Sequence, residues 1–178
     1  KVISETVEEA EQEEFGWRLV SRKEDISGPL FISPSDDRLK CISFTENGSI
    51  LLKTLPSEEP SAVDDVVVGQ YIQPAVFGLK NAHGKYLGSD KIGKLISFRE
   101  AISPQEEWTP VFRDDGVGFM HSVYNRFLSC VNGELRADSD SMGFNETFIV
   151  RHQIGGTMKE KKKKEATPDD KNFEEAQM

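Results

Sequence analysis

The sequence has 178 residues, with 22 basic and 31 acidic side chains and a formal net charge of −9. A chain of this length can build one well-buried core and is short for two. Because the balance is acidic, contact with nucleic acid would depend on a local basic patch, and no apolar run has the length of a membrane span.

The chain begins with an acidic segment that leads into the first predicted strand. Residues 1–14 hold six acids and one lysine, so we predict a solvated arm there, with a short helix as the alternative. In the following strand, Trp17 alternates with Leu19 on one face. The favoured interpretation of Trp17 is a core or barrel-closing aromatic, and the alternative is a stacking platform for a nucleobase.

A unit of four short apolar runs separated by turn residues occurs three times along the chain. The clearest unit spans residues 78–112, and its Leu79 and Trp108 recur as Phe119 and Phe148 about 40 residues later. In the first unit Phe31 is predicted to match Leu79, and residues 38–40 to match residues 86–88. That first unit is longer, and the extra length is predicted at residues 56–65.

The repeat predicts an all-β fold. Propellers need at least about four blades, whereas three units of four strands fit a closed, pseudo-threefold β-trefoil. We therefore predict a trefoil over residues 15–156, between the acidic arm of residues 1–14 and a Lys-rich, then acidic, tail over residues 157–178. The tail is expected to be disordered when free.

The residues that usually carry chemistry form no catalytic or metal-binding pattern. Cys41 and Cys130 are predicted at equivalent places in the first and third units, as free, inward-facing thiols. The three histidines are scattered, without metal-ligand spacing, and no phosphate-binding glycine loop or nucleophile motif is present. We predict no catalytic residue, no metal, no cofactor, no small-molecule substrate and no enzyme.

Two clusters of basic residues are the candidate sites. The first lies in the central unit and is predicted to contact RNA phosphate, with a solvated hairpin as the alternative; its members are Lys80, Lys85, Lys91, Lys94 and Arg99. The second lies in the tail and resembles a nuclear localisation signal that also suits RNA, with a solvated tail as the alternative. Its members are Lys159, Lys161, Lys162, Lys163 and Lys164.

The central unit also carries a family resemblance. The sequence Ala-Ile-Ser-Pro-Gln-Glu-Glu-Trp-Thr-Pro-Val-Phe at residues 101–112, with Gly-Lys-Tyr-Leu-Gly at residues 84–88, resembles the facioscapulohumeral muscular dystrophy region gene 1 protein family. The resemblance covers roughly residues 16–171. The family's very basic N-terminal segment has no match here, where an acidic stretch stands instead.

The resemblance implies a fascin-like β-trefoil and a nuclear function. It implies a nuclear and nucleolar protein, with some cytoplasmic presence, that associates with spliceosomal proteins in pre-mRNA splicing and ribosomal RNA processing. The expected partners are spliceosomal proteins and RNA, in the context of small nuclear RNA, precursor messenger RNA or ribosomal RNA. No contact with a membrane is expected.

Three classes of function follow from the resemblance and the fold. The first is a ribonucleoprotein adaptor, and the second an F-actin-binding or bundling module. Bundling needs two filament sites, and the sequence gives no sign of two. The third is a carbohydrate-binding trefoil, ranked last because the lectin Gln-x-Trp motif has one residue too many at Gln105–Trp108 and Phe148 replaces Trp in the third unit.

Overall fold

The computed structural model describes residues 16–154, so the predicted acidic arm and the Lys-rich tail lie outside the described residues. No helix within residues 16–154 has the length and apolarity to cross a membrane. Strands and short 3-10 helices make up the described part, in the order β1 Trp17–Leu19, η1 Lys23–Ile26, β2 Gly28–Pro34, β3 Lys40–Phe44, β4 Ile50–Thr54, η2 Val63–Asp65, β5 Val67–Gln73, β6 Val76–Lys80, β7 Tyr86–Ser89, β8 Leu95–Arg99, η3 Pro104–Glu106, β9 Trp108–Arg113, β10 Gly116–His121, β11 Phe127–Val131, β12 Glu134–Ser139, η4 Phe144–Glu146 and β13 Phe148–Gln153.

The chain divides into two compact units. The described part of the smaller unit comprises residues 16–18 and 153–154, where the Ile154 N–H donates to the Gly16 carbonyl at 3.3 Å. The larger unit spans residues 19–152 and contains the repeat.

Six strands close into a barrel. Antiparallel pairing runs from β2 to β5, β6, β9, β10 and β13, and β13 pairs back with β2. The strand pairs β3–β4, β7–β8 and β11–β12 form three hairpins, one in each repeat. A closed barrel leaves no barrel edge unpaired, which explains how three degenerate units form one stable sheet.

The pseudo-threefold symmetry is visible in the buried core. Matched core residues of the three repeats pack together, and the sets are Leu30, Phe77, Val117; Ile32, Leu79, Phe119; Ile42, Leu87, Leu128; Ile50, Leu95, Leu135; and Val67, Trp108, Phe148. The β-trefoil of three four-stranded units is therefore confirmed. The longer first repeat is confirmed as well, because the connection from β4 to β5 exceeds the corresponding connections in the other repeats.

The register predicted for the first repeat was wrong. Leu30 pairs with Val67 as Phe77 pairs with Trp108, so Ile32 matches Leu79, and Phe31 lies one residue away on the opposite face. A shift of one residue along a strand exchanges its two faces.

The predicted match of residues 38–40 to residues 86–88 was also wrong, by three residues, because Ile42 matches Leu87. This larger shift affected the predicted match between the two cysteines. Cys130 matches Ser89, but the first-repeat residue at that position is Phe44, and Cys41 lies at the start of its strand. Cys41 is buried as predicted, whereas Cys130 is only half-buried, and both thiols are free. In the first strand, Trp17 is half-buried but Leu19 is 48% exposed, so the predicted shared face is absent there.

A buried carboxylate ends the 3-10 helix that precedes the last strand of each repeat: Asp65, Glu106 and Glu146. Each accepts hydrogen bonds from the start of its own helix, as Glu146 Oε1 does from the Gly143 N–H at 2.8 Å. The sequence analysis did not identify these three carboxylates as buried groups. They are capping groups, and the Ser-x-x-Glu pattern at Ser103–Glu106 was the available signal.

The second oxygen of the carboxylate connects the helix to the hairpin. Asp65 Oδ1 accepts from Ser43 at 2.9 Å, and Glu146 Oε2 accepts from Ser129 at 2.8 Å. Gly88 occupies the matching position in the central repeat, where an added Cβ would lie 2.9 Å from Glu106 Oε2. There Arg99 replaces the serine, with its Nε 3.2 Å from Glu106 Oε2.

Trp108→Ala should strongly destabilise the domain. The indole is 1% exposed, and its N–H donates to the Leu87 carbonyl at 2.9 Å. Truncating a buried aromatic costs about 3–5 kcal/mol, and thermal and chemical unfolding measure the loss. Phe144→Ala is the matched control, since Phe144 is 66% exposed. A Trp108 variant that unfolds like the Phe144 variant would contradict the proposed core.

Stability should also fall as the pH drops below about 6.5. Burial lowers the pKa of His121, whose Nε2 lies 2.7 Å from the Gln105 carbonyl oxygen while Nδ1 accepts the Val123 N–H at 3.2 Å. As the pH falls, the unfolded state therefore binds this proton at a higher pH than the folded state does. The resulting loss of folding stability is complete once the pH is below the folded-state pKa of His121. His121→Gln should remove most of the slope between pH 6.5 and 5 in urea titrations. An unchanged slope would contradict this assignment.

Candidate nucleic-acid interface

The structure separates the five predicted RNA-contact residues of the central repeat into two groups. The first group lies where three strands run side by side, because Lys80 pairs with Tyr86 and Tyr86 pairs with Arg99. Lys80 Nζ lies 5.7 Å from the centre of the Tyr86 ring. Lys85 directly precedes β7 and belongs to the same end of the hairpin.

The second group occupies the opposite end of the same hairpin. Lys91 and Lys94 lie in the β7–β8 turn and are both exposed. Arg136 of the third repeat joins them, donating from Nη2 to the Ile92 carbonyl at 2.8 Å. Sequence reasoning missed Arg136, because its proximity depends on packing between the central and third hairpins. Arg136 also forms an ion pair with Asp138, whose Oδ2 lies 2.6 Å from the Nε of Arg136.

Carboxylates reduce the positive charge of the first group. Glu100 lies 3.4 Å from Lys85 Nζ, and Glu106 lies 3.2 Å from Arg99 Nε. Arg99 Nη2 also donates to Gln105 at 3.1 Å. The Lys85 pair is largely exposed and therefore weak. Arg99 balances a fully buried carboxylate, so the structure gives it a role in the fold, and RNA contact by this residue remains a prediction.

An exposed aromatic ring lies within the basic hairpin. Phe98 is 60% exposed, and the Arg99 guanidinium carbon lies 5.4 Å from the centre of its ring. An exposed ring beside cations provides a stacking surface for a base. The sequence signal was strand alternation: Leu95 packs against the core and Ser97 is buried, which leaves Phe98 facing outward.

A polar groove elsewhere on the described surface does not include the predicted basic residues of the hairpin. It has a volume of about 450 Å³ and lies between the β2–β3 loop, the β11–β12 turn and η4; its lining includes Asp36, Asp37, Cys130, Asn132 and Phe144. Within residues 16–154, no three His, Cys, Asp or Glu side chains come together as a metal site would require.

Burial governs the chemistry of both cysteines. It raises the pKa of Cys41 to about 12, and the charge of Asp65 contributes in the same direction. Burial also raises the pKa of Cys130, although its side chain borders the groove. Both groups are therefore neutral thiols near pH 7, which is unlike the lowered pKa of a nucleophilic cysteine.

The fold is that of a β-trefoil, a class that includes binding proteins among solved structures. Two similar structures are lectins. SeviL bound to asialo-GM1 saccharide shares 13% identity with a TM-score of 0.58, and the alignment covers 70% of this chain and 96% of that one. Polyporus squamosus lectin, bound to a human-type influenza-binding epitope, shares 11% identity with a TM-score of 0.59; the alignment covers 70% of this chain and 48% of that one. These likenesses establish the fold alone.

The family follows from the sequence match. The FRG1-like domain matches residues 42–178, which is most of the chain. The chain therefore belongs to the FRG1-like family, as the residues at positions 84–88 and 101–112 had indicated.

The two thiols should react at different rates with a thiol reagent in the native protein. Cys130 is half-buried and should be modified slowly, whereas Cys41 is fully buried and should be modified only on unfolding. Absorbance with an aromatic disulfide reagent at pH 8 measures both phases. Cys130→Ser should abolish the native-state phase, and Ser89 shows that serine fits the matching position. Rapid modification of Cys41 in native Cys130→Ser would contradict its burial.

Proposed function

We propose that this chain is a non-enzymatic component of nuclear ribonucleoproteins, acting as a spliceosome-associated adaptor in pre-mRNA splicing and in ribosomal RNA processing. The observation that carries the proposal is membership of the FRG1-like family on a trefoil scaffold. The localisation that goes with it is the nucleus, including the nucleolus. In this function the trefoil chiefly docks on proteins, and the basic hairpin adds contact with RNA.

The geometry of the β7–β8 hairpin supports the RNA part of the proposal. The exposed ring of Phe98 provides a stacking surface, and Lys91 and Lys94 extend into solvent at the turn. Base stacking together with phosphate contact suits single-stranded RNA. Such binding depends little on hydrogen bonds to base edges. The carboxylates beside Lys85 and Arg99 limit the affinity, which fits an adaptor held mainly by protein contacts.

The other two candidate functions have less support. No described feature provides the two separate filament sites that actin bundling requires. For the lectin alternative, Trp108 would have to stack against a sugar, but its indole is buried and hydrogen-bonded inside the barrel. The saccharides named for the two similar lectins therefore have no matching Trp surface here.

The direct test is affinity purification of the tagged chain from nuclear extract. The proposal expects spliceosomal proteins and their RNAs to co-purify, and protein partners to persist after ribonuclease treatment. Recovery of actin as the main partner would favour the filament alternative. Loss of every partner on ribonuclease treatment would contradict the adaptor role.

Replacing Lys85, Lys91 and Lys94 together by Gln should weaken binding to all single-stranded RNA sequences alike. Each lost phosphate contact lowers the log–log salt slope by about 0.7, so the slope should flatten by roughly two units. Filter binding across salt concentrations measures the effect. The fold should be retained, because surface changes usually cost under about 0.5 kcal/mol each.

A charge-matched control separates a site from general electrostatics. Arg22, Lys23 and Lys40 lie in the first repeat or just before it, and replacing all three by Gln removes the same charge. Only the hairpin variant should flatten the slope. Equal effects of the two variants, or loss only on deleting residues 159–164, would exclude the hairpin as the RNA site.

A further inference from the structure

A buried arginine lies on the outer face of the barrel, away from the basic hairpin. Val150 and Ile32 pair within the core, so their neighbours Arg151 and Phe31, also a pair, face the other way. The side chain of Arg151 is 9% exposed. Phe31 is fully buried, so the arginine stem lies against an apolar wall.

This guanidinium is only partly satisfied. Arg151 Nη2 donates to Glu58 Oε1 at 3.1 Å, but Nη1 is buried and has no hydrogen-bond partner. A guanidinium normally presents two parallel N–H groups to one carboxylate or phosphate. A buried donor without a partner is costly, so Nη1 lacks an acceptor that a bound anion would supply once Glu58 moves away.

A second arginine approaches the same place. The Leu55 N–H donates to the Leu39 carbonyl at 2.7 Å, which brings Arg38, one residue from Leu39, to the loop that carries Glu58. Burial lowers the pKa of Arg151, and the charge of Arg38 lowers it further, whereas Glu58 raises it. The exposed carboxylate of Glu58 therefore faces the positive charges of two guanidinium groups, those of Arg38 and Arg151.

An open groove borders this region on the side of Arg38, although neither Arg151 nor Glu58 lines it. It has a volume of about 560 Å³, and Arg38 and Ile149 are among its lining residues. Asp114 and Asp115 also line it, and Asp115 lies 3.5 Å from Arg113, which partly offsets the charge of Asp115. Glu58 is 52% exposed, so it can leave Arg151 without disturbing the core.

We propose that Arg151 and Arg38 form a binding site for a phosphate monoester, which Glu58 of the β4–β5 loop occupies in its absence. The bound phosphate accepts from Nη1 and Nη2 of Arg151 together and also contacts Arg38. Glu58 acts as an internal competitor, so binding releases the loop from the barrel wall.

Charge favours a monoester over the diester of an RNA backbone. A diester carries one negative charge, as Glu58 does, and gains little by replacing it. A phosphorylated serine or threonine carries about −1.5 to −2 at pH 7 and offers three acceptor oxygens. Because the proposed function is that of an adaptor that docks on proteins, we assign the monoester to a phosphorylated side chain of a partner protein, which is distinct from RNA contact at the hairpin.

Amide NMR titrations of the full chain test the site with N-acetyl-O-phosphoserine amide as the probe. Dimethyl phosphate, a monoanionic diester, is the matched control probe. The proposal expects shifts around residues 38, 58 and 151 with the monoester and much weaker shifts with the diester. Equal shifts with both would assign the site to a diester such as RNA and overturn the proposal.

Three variants complete the test. Glu58→Gln removes the competitor and should bind the monoester about three- to tenfold more tightly. Glu59→Gln removes the adjacent carboxylate, which is also exposed, and should bind like wild type. Arg38→Gln should bind several-fold more weakly. Unchanged affinity in the Glu58 variant, or the same gain in the Glu59 variant, would overturn the proposal; each variant's amide spectrum reports whether it is folded.

Discussion

The trefoil depends on one interaction that each repeat makes in its own way. A buried carboxylate at the end of a 3-10 helix accepts from the helix start with one oxygen and from the hairpin with the other, as Glu146 does with Gly143 and Ser129. Short hairpins have little stability of their own. The carboxylate fixes each hairpin against the strand that closes the barrel. Its burial is tolerated in the first and third repeats because both oxygens accept hydrogen bonds, whereas Glu106 Oε2 has only its ion pair with Arg99.

The central repeat satisfies this requirement differently, and the difference shapes its surface. Gly88 leaves no room for a side chain beside Glu106, so the balancing group comes from Arg99 at the end of the neighbouring strand. Placing Arg99 there leaves Phe98, one residue earlier, on the solvent face. The exposed ring and the cations of the proposed RNA contact thus arise where the repeat departs from its symmetry.

The sequence predicted the parts of the fold that obey regular spacing. Leu79 and Trp108 were matched correctly with their third-repeat counterparts because each lies 40 residues before its counterpart. The first repeat was misaligned because its insertion allowed a slip, and a slip of one residue exchanged Phe31 for Ile32. Side-chain pairing between separate elements, such as Arg99 of β8 with Glu106 of η3, could not be predicted, since strand pattern indicates a face but not the neighbour that shares it.

The two partly neutralised arginines differ in how firmly their carboxylates are held. Glu106 is fully buried and caps its own helix, so it cannot move away from Arg99 without breaking its hydrogen bonds to Ser103, and an anion that took Arg99 would leave a buried charge unpaired. Glu58 is half-exposed on a loop and makes a single hydrogen bond to Arg151. An external anion therefore meets a much smaller opposing free energy at Arg151 than at Arg99. An anion is therefore expected to displace Glu58 of the β4–β5 loop from Arg151 and not Glu106 from Arg99. Arg99 serves chiefly to hold the central hairpin in place.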